Sequence, residues 1–187
     1  MKFTETTLKG AYIIDLEPHI DHRGYFSRSF CANEFKKAGL ETNMVQSNIS
    51  FSKDKHTLRG MHFQKNGFEE AKLVRCIKGE IQDTIIDLRP ESDTYLETYS
   101  IKLNENSHKM IYVPKQFAHG FITLIENSEV FYQVSAFYNQ KQESGIKWDD
   151  SSFNFDWPTD NPITSEKDAN HQKFIPQNKI KNEHSSI

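Results

Sequence analysis

The sequence has little of several features that would place it in a specialised class. It contains only two cysteines, Cys31 and Cys76, and their spacing fits no metal-binding or redox motif and no disulfide framework. It has no long basic run, and a net charge of −3 with both signs mixed argues against nucleic acid or an anionic membrane as partner. No apolar run approaches the roughly 20 residues that span a bilayer, and the first residues do not resemble a signal peptide. We therefore expect a cytoplasmic protein.

Aromatic residues are plentiful and spread along most of the chain. The 187 residues include 14 Phe, 7 Tyr and 2 Trp, which supply large apolar surfaces for a core. A chain of this length can bury roughly 70% of its unfolded surface, so it can form a stable domain by itself. We expect one domain over residues 1–175, followed by a polar and flexible tail over 176–187.

Most of the middle of the chain shows short apolar segments separated by turn residues, the pattern of β-strands. The predicted strands are 44–52, 71–77, 81–88, 95–102, 109–113, 117–124 and 130–138. One early helix is predicted over 32–38, with Gly39 placed to end it. Strands at this spacing predict an all-β sandwich or barrel. Within the first strand, alternation predicts that Gln46 and Asn48 point to the same face.

Charged and polar residues interrupt three of the otherwise apolar segments, 57–64, 71–74 and 113–121. Burying a charge without a partner is costly, so we expect Arg59, Lys72 and the histidines there to face a cleft or each other. Such a site suits enolisation of a ketone. An imidazole with a pKa of about 6.5 can remove a C–H proton beside the carbonyl, a cation can stabilise the enolate oxygen, and a tyrosine can return a proton.

Eight short motifs then carry a resemblance to a known family. They are residues 21–26, 46–48, 58–64, 72–74, 87–89, 114–121, 148–150 and 165–168. Together, over about residues 2–170, they resemble the dTDP-4-dehydrorhamnose 3,5-epimerase family, whose members are cupin-like β jelly rolls with a few short helices. The resemblance implies an isomerase without metal or organic cofactor that inverts C3 and C5 of a nucleotide-linked 4-keto-6-deoxy sugar. It also implies a role in making rhamnose for surface glycans, and a homodimer with an exchanged N-terminal strand.

The resemblance assigns catalytic roles to four residues. His62 matches the family's base, and Asp168 matches the carboxylate that pairs with it. Tyr132 matches the acid that protonates the opposite face of the sugar. Lys72 lies where the family stabilises the enolate at the C4 oxygen.

Further positions match the residues that line the nucleotide-sugar site of the family. They are Arg23, Gln46, Asn48, Arg59, Lys72, His119, Tyr138, Glu143 and Lys167. Tyr138 matches an aromatic residue that stacks on the base, and Arg23 is expected to serve the neighbouring subunit's site. Arg28 departs from the pattern, because the family usually has a glutamate there on the nucleotide side. The identity of the nucleotide therefore stays open at this point.

A metal-dependent cupin oxygenase is a competing function. Such sites usually take two ligands from a His-x-His step, but Gln64 stands two residues after His62. A poorer site of three ligands, His62, His119 and a carboxylate, remains open. We expect no metal.

Two more functions are compatible with the same fold. A non-catalytic sugar-binding module would keep Arg23, Arg59 and Tyr138 without needing His62. A related epimerase would act on one carbon only, or on the 4-keto sugar of another nucleotide.

The remaining histidines lie among charged or turn residues, and we expect all six on the surface: His19, His22, His56, His108, His171 and His184.

Overall fold

The computed structural model of the chain describes residues 1–176, so all but the first residue of the predicted polar tail lies outside the described residues. Strands dominate this part of the chain, and both helices are short. The elements are β1 Lys2–Glu5, β2 Tyr12–Asp15, β3 His19–Asp21, β4 Gly24–Phe26, α1 Ala32–Lys37, β5 Gln46–Ser52, β6 Leu58–Gln64, β7 Lys72–Lys78, β8 Glu80–Asp87, β9 Thr98–Asn104, β10 Lys109–Val113, β11 Phe117–Thr123, β12 Ser128–Val134, β13 Glu143–Gly145 and α2 Glu166–Ala169.

Two antiparallel sheets form the body of the fold. One has the order β1-β2-β10-β7-β12-β5, and the other has the order β13-β6-β11-β8-β9. The strands β3 and β4 form a separate hairpin, and β1 pairs with β2 of its own chain. Neighbours in each sheet are mostly distant in sequence, as in a jelly roll. The predicted all-β, cupin-like jelly roll is confirmed.

The main core lies between the two sheets. It joins apolar residues of both, among them Val74, Ile85, Ile111 and Phe121, all of them buried. Because side chains alternate along a strand, each sheet also has an outer face, and the apolar residues on that face must be buried by other segments of the chain. On the six-stranded sheet, α1 covers them through Phe35, which is fully buried. On the five-stranded sheet, the cover comes from residues 146–157.

The predicted elements agree well with the observed ones in the middle of the chain. The predicted helix is α1, and Gly39 follows it with a φ of +73°, a conformation that glycine adopts without strain. Strand β9 begins three residues later than predicted, and β12 ends four residues earlier. The strands β1 to β4, β13 and the helix α2 were not predicted. Each of them has only three or four residues, too few for a periodic pattern to emerge.

The edge strand β5 presents only polar residues inward, whereas two of its three outward residues are apolar. Gln46 and Asn48 share the face that lines a cavity, as predicted. Ile49 and Phe51 point outward and are 66% and 49% exposed. The inner face of β5 is therefore suited to a polar ligand rather than to the core.

In the described part of the chain, no helix combines the length and apolar character that a membrane span requires.

Candidate active site

Two cavities that share three side chains define the candidate site. The larger has a volume of about 500 Å³ and the smaller about 300 Å³. His62, Lys72 and Tyr132 line both of them. These are three of the four residues to which the family resemblance assigned catalytic roles, and the fourth, Asp168, lines the larger cavity.

Strands from both sheets bring these side chains together. His62 lies on β6 of the five-stranded sheet, directly opposite His119 of β11. Tyr132 lies on β12 of the other sheet, between Asn48 of β5 and Val74 of β7. Residues far apart in sequence thus face one space between the sheets.

Two glycines allow β6 and β11 to approach closely beside His62. A Cβ atom on Gly60 would lie 2.5 Å from the Cα of Gly120, closer than any ordinary contact. The register of the two strands also shifts between His119 and Phe121. The Gly60 amide donates a hydrogen bond of 3.4 Å to Oδ2 of Asp168. The irregular strand pair thus helps to hold the carboxylate.

His62 and Asp168 form a hydrogen-bonded pair. The distance from Nε2 of His62 to Oδ1 of Asp168 is 2.7 Å. Burial of Asp168 opposes its ionisation, but the hydrogen bond from His62 and the one from Gly60 hold the pKa of this carboxyl below its ordinary value. An ionised Asp168 accepts a hydrogen bond from the Nε2–H group of His62, which leaves Nδ1 of His62 with the lone pair that a base requires.

Asp168 is fixed by its place in the helix α2. The Ser165 side chain caps this helix by accepting a hydrogen bond of 3.1 Å from the Asp168 amide. The carboxylate is almost fully buried, with only 6% of its side chain exposed. A carboxylate tied at both its backbone and its side chain can orient the imidazole without moving itself.

Lys72 brings a positive charge to the wall that both cavities share. Its ammonium lies 3.2 Å from the Glu70 carboxylate and donates a hydrogen bond of 3.4 Å to the His62 carbonyl oxygen. The side chain of Gln64 donates to the same carboxylate. A buried cation held in this way is preorganised to bind an oxygen that gains negative charge.

Tyr132 is a protonated phenol at neutral pH. Burial raises the pKa of its hydroxyl above the ordinary value, and the negative charge of Glu70 raises it further. Tyr132 and His62 lie on strands of opposite sheets. A ligand between the sheets can therefore meet an acid on one side and a base on the other.

The remaining predicted residues, apart from Arg23, line the same two cavities. Arg59 donates to the Ser52 hydroxyl and to the Phe51 carbonyl, and within residues 1–176 no carboxylate forms an ion pair with it. Tyr138 donates to Glu143, which also pairs with Lys167. A third hydrogen bond joins the Tyr138 amide to Gln46.

Arg23 lies outside both cavities. It is on the turn of the β3–β4 hairpin, its side chain is 78% exposed, and it forms a 2.6 Å ion pair with Asp21. Arg28 is exposed as well and pairs with Glu34 at 3.2 Å. In a single chain, neither arginine reaches the cavities.

The expectation that six histidines lie on the surface was wrong for His171. Its side chain is only 12% exposed and lies beside His62 and Asp168. His19 and His22 are exposed as predicted, whereas His56 and His108 are partly buried. His184 lies outside the described residues. Sequence reasoning also missed Glu70, because nothing in the sequence sets it apart from the adjacent Glu69.

Within residues 1–176, His119 does not group with His62 and a carboxylate as metal ligands. Nε2 of His119 instead lies 2.8 Å from Oδ2 of Asp83, and both residues are buried. This pair explains why Asp83 lies between the apolar Ile81 and Ile85 on the inner face of β8. The imidazole of His119 is thereby held toward the larger cavity.

Comparison with known proteins finds relatives of similar sequence. The family model for dTDP-4-dehydrorhamnose 3,5-epimerase matches residues 5–175. The enzyme of that name from Methanothermobacter thermautotrophicus is 42% identical over 172 residues, which are 90% of this chain and 92% of that protein.

Solved structures of similar fold are also known. The dTDP-4-dehydrorhamnose 3,5-epimerase of Elizabethkingia anophelis has a TM-score of 0.90 at 39% identity, covering 93% of this chain and 96% of that one. The Bacillus anthracis enzyme, with TDP and PPi bound, has a TM-score of 0.90 at 35% identity, covering 92% and 99%.

Proposed function

Because the chain belongs to the dTDP-4-dehydrorhamnose 3,5-epimerase family, we propose that it converts dTDP-4-dehydro-6-deoxyglucose to dTDP-4-dehydrorhamnose. The reaction inverts C3 and C5 in turn through an enolate, and its product leads to rhamnose. One observation carries the proposal. A base, a cation and a phenol, His62, Lys72 and Tyr132, line the junction of two cavities between the sheets.

His62 removes the proton next to the C4 ketone. The Nε2–H group of His62 donates a hydrogen bond to Asp168, with 2.7 Å between Nε2 and Oδ1. Nδ1 is therefore the nitrogen that accepts the proton. The negative charge of Asp168 then stabilises the imidazolium that forms. General-base catalysis of this kind typically contributes about 10² to 10⁴ in rate.

Lys72 stabilises the enolate oxygen. The electron pair of the broken C–H bond moves to the C4 oxygen, where the buried ammonium already lies in place. Because the low-dielectric surroundings strengthen this interaction, a single well-placed donor is worth about 10² to 10³ in rate. Tyr132 returns a proton to the opposite face of the same carbon as the electron pair moves back from the C4 oxygen, and the inverted centre results. The imidazolium of His62 then loses its proton and the phenolate of Tyr132 regains one by exchange with water, before the second carbon reacts.

The nucleoside diphosphate binds to the polar residues of the two cavities and to the cation of Arg59. Arg59 lacks a carboxylate partner among the described residues, so it can bind the diphosphate at no cost of a broken ion pair. Tyr138 is 58% exposed and offers a flat ring to the base. Gln46, Asn48 and Glu143 line the same cavity and supply polar contacts.

We also propose that the protein is a homodimer in which an N-terminal segment carrying Arg23 completes the partner's site. The β3–β4 hairpin is exposed throughout its six strand residues, although Ile20 and Phe26 are apolar. A strongly exposed apolar hairpin indicates a protein partner. Closed homodimers are the commonest soluble assembly, and a second copy of the chain would bring Arg23 to a diphosphate.

The cytoplasm is the compartment that this proposal implies. Both Cys31 and Cys76 are free thiols, as a reducing compartment would keep them. Cell fractionation followed by detection of the native protein tests this assignment, and recovery in an extracytoplasmic fraction would overturn it.

Heavy water with four substrates tests the reaction itself. The protein is incubated with dTDP-, CDP-, UDP- and GDP-linked 4-keto-6-deoxyglucose, and product stereochemistry is read by NMR. We expect deuterium at C3 and C5 of the dTDP sugar, with inversion at both carbons. Label at one carbon only would identify a single-carbon epimerase, and no uptake with any of the four would contradict the proposal.

Mixing two inactive variants tests the dimer. In a co-expressed mixture of Arg23→Ala and His62→Asn, half of the dimers are mixed, and each has one site with both residues intact. Activity should therefore recover to about a quarter of the wild-type value. A dimeric mixture without recovery would show that Arg23 does not act across subunits, and a monomer by light scattering would refute the dimer.

A further inference from the structure

His171 is a buried imidazole for which the proposed reaction has no use. Its Nε2 is enclosed by protein and forms no hydrogen bond within residues 1–176. Oδ1 of Asp168 is 3.6 Å away, beyond hydrogen-bond distance. An enclosed ring nitrogen without a partner is unfavourable unless something else binds it.

The backbone leaves a specific space for this imidazole. A Cβ atom on Gly145 would lie 2.2 Å from Nε2 of His171. Gly145 pairs with His62 in the sheet, so the His171 ring fits directly against the strand beside the base. The rings of His62 and His171 are 5.8 Å apart and nearly perpendicular.

Three donor atoms converge at this point. Nε2 of His62 and Nε2 of His171 approach the same oxygen of Asp168, at 2.7 and 3.6 Å, and all three donors lie within 4.8 Å of one another. Around a tetrahedral zinc ion with bonds of about 2.0 to 2.2 Å, ligand atoms are roughly 3.4 Å apart. The observed spacing thus needs only modest side-chain shifts. The His62 side chain is 30% exposed, so a water molecule can supply a fourth ligand from its side.

We propose that His62, Asp168 and His171 form a binding site for a borderline divalent cation such as Zn²⁺, and that its occupancy inhibits the enzyme. Two imidazoles and a carboxylate are a typical donor set for zinc. Binding displaces the Nε2 proton of His62 to solvent and replaces it with a cation. The metal also takes the carboxylate that stabilises the imidazolium, so Nδ1 becomes a poorer base. The inhibition, though not the binding, rests on the proposed function.

Cobalt serves as a spectroscopic probe of binding that does not depend on turnover. The protein is stripped with a chelator and titrated with Co²⁺, and the visible absorption reports the ligand geometry. We expect one Co²⁺ per chain with the intense bands of a four-coordinate site, displaced by Zn²⁺. Absence of stoichiometric binding would overturn the proposal, whether or not the protein is an epimerase.

A pair of histidine variants tests the ligand assignment. His171→Asn should keep metal-free turnover within about twofold, since His171 takes no part in the reaction. It should require at least about tenfold more Zn²⁺ for half inhibition, because one of three protein ligands is lost. His171→Gln provides a second version if the first is poorly folded.

His108→Asn is the matched control, since His108 is also partly buried with an unpaired ring nitrogen but lies away from the cavities. Its zinc sensitivity should equal that of the wild type. Equal sensitivity of the His171 variants and the wild type would overturn the site. Metal binding without turnover of any nucleotide sugar would instead contradict the proposed function and leave the cation site supported.

Discussion

The Lys72 ammonium lies 3.2 Å from the Glu70 carboxylate, and the two side chains are only 9% and 10% exposed. This ion pair places a fixed positive charge on the wall shared by both cavities. Removing one partner alone would leave the other charge buried and uncompensated, which is strongly destabilising. Tests of the role of Lys72 must therefore separate lost chemistry from lost stability.

Lys72→Met should lower kcat/KM by about 10² to 10³-fold, because the enolate oxygen loses its cation. Turnover of the dTDP-linked 4-keto sugar measures this change. The double variant Lys72→Met with Glu70→Gln removes both charges and should recover thermal stability but no activity. Recovery of activity in the double variant would show that Lys72 serves the fold rather than the enolate.

Tyr132→Phe should separate proton removal from proton return. The base can still abstract and return a proton on its own face, so deuterium exchange should fall by less than about tenfold while inverted product falls by about 10² or more. NMR of the sugar in heavy water measures both. Tyr112→Phe is the control, because its hydroxyl bonds the Glu41 amide away from the cavities. Equal loss of exchange and inversion would exclude Tyr132 as the acid.

Glu70→Gln should lower the pKa of Tyr132. Burial is the larger cause of the raised pKa, and it stays in the variant, but the repulsion between the phenolate and Glu70 is lost. The phenol is protonated below its pKa, so the variant should form phenolate at lower pH than the parent. Ultraviolet absorbance during alkaline titration reports this change. The titration curve of the matching Tyr132→Phe protein is subtracted from that of the wild type and from that of Glu70→Gln, so that the absorbance of Tyr132 alone remains. An unchanged or raised pKa would contradict the electrostatic account.

Much of the fold follows from the strand pattern, but the site follows only in part. The apolar runs around Val74, Ile85 and Phe121 predicted strands correctly, because buried strands on both faces are continuous apolar segments. The hairpin β3–β4 gave no such signal, since all six of its strand residues are exposed. Short exposed strands depend on what they contact, and that information is not local.

The charges in apolar strands identified the cleft for a physical reason. Arg59, Lys72 and His62 interrupt apolar segments, and such residues need partners or a solvent-filled space. The sequence pattern did not identify the partner of His62, because Asp168 stands 106 residues away in a polar segment. Only the family resemblance singled it out. His171 resembled a surface residue for the same reason, as its burial depends on the space beside Gly145.

Asp87→Asn should destabilise the fold by about 3 kcal/mol at neutral pH, because it disrupts a buried network. Burial opposes ionisation of Asp87, but hydrogen bonds from Arg89, Ser92 and Thr94 hold its pKa below the ordinary 3.8. Ionised Asp87 thus contributes stability above about pH 4, and this contribution is lost as pH falls through the lowered pKa.

Urea unfolding between pH 7 and pH 2 measures the effect of Asp87→Asn. The variant should lose less stability than the wild type on acidification, since the titrating group is gone. Asp149→Asn is the control, because the ion pair between Asp149 and Lys147 is exposed and contributes little. A parallel pH dependence of wild type and Asp87→Asn would contradict the assignment.

The most direct test of the account is deuterium uptake by the 4-keto sugar in His62→Asn. Without the imidazole, uptake at C3 and C5 should fall by about 10³-fold or more, while dTDP binding and thermal stability stay close to those of the wild type. His56→Asn should exchange at the wild-type rate, since His56 lies outside both cavities and its φ of +62° suits asparagine. Near wild-type uptake in His62→Asn would show that another group is the base.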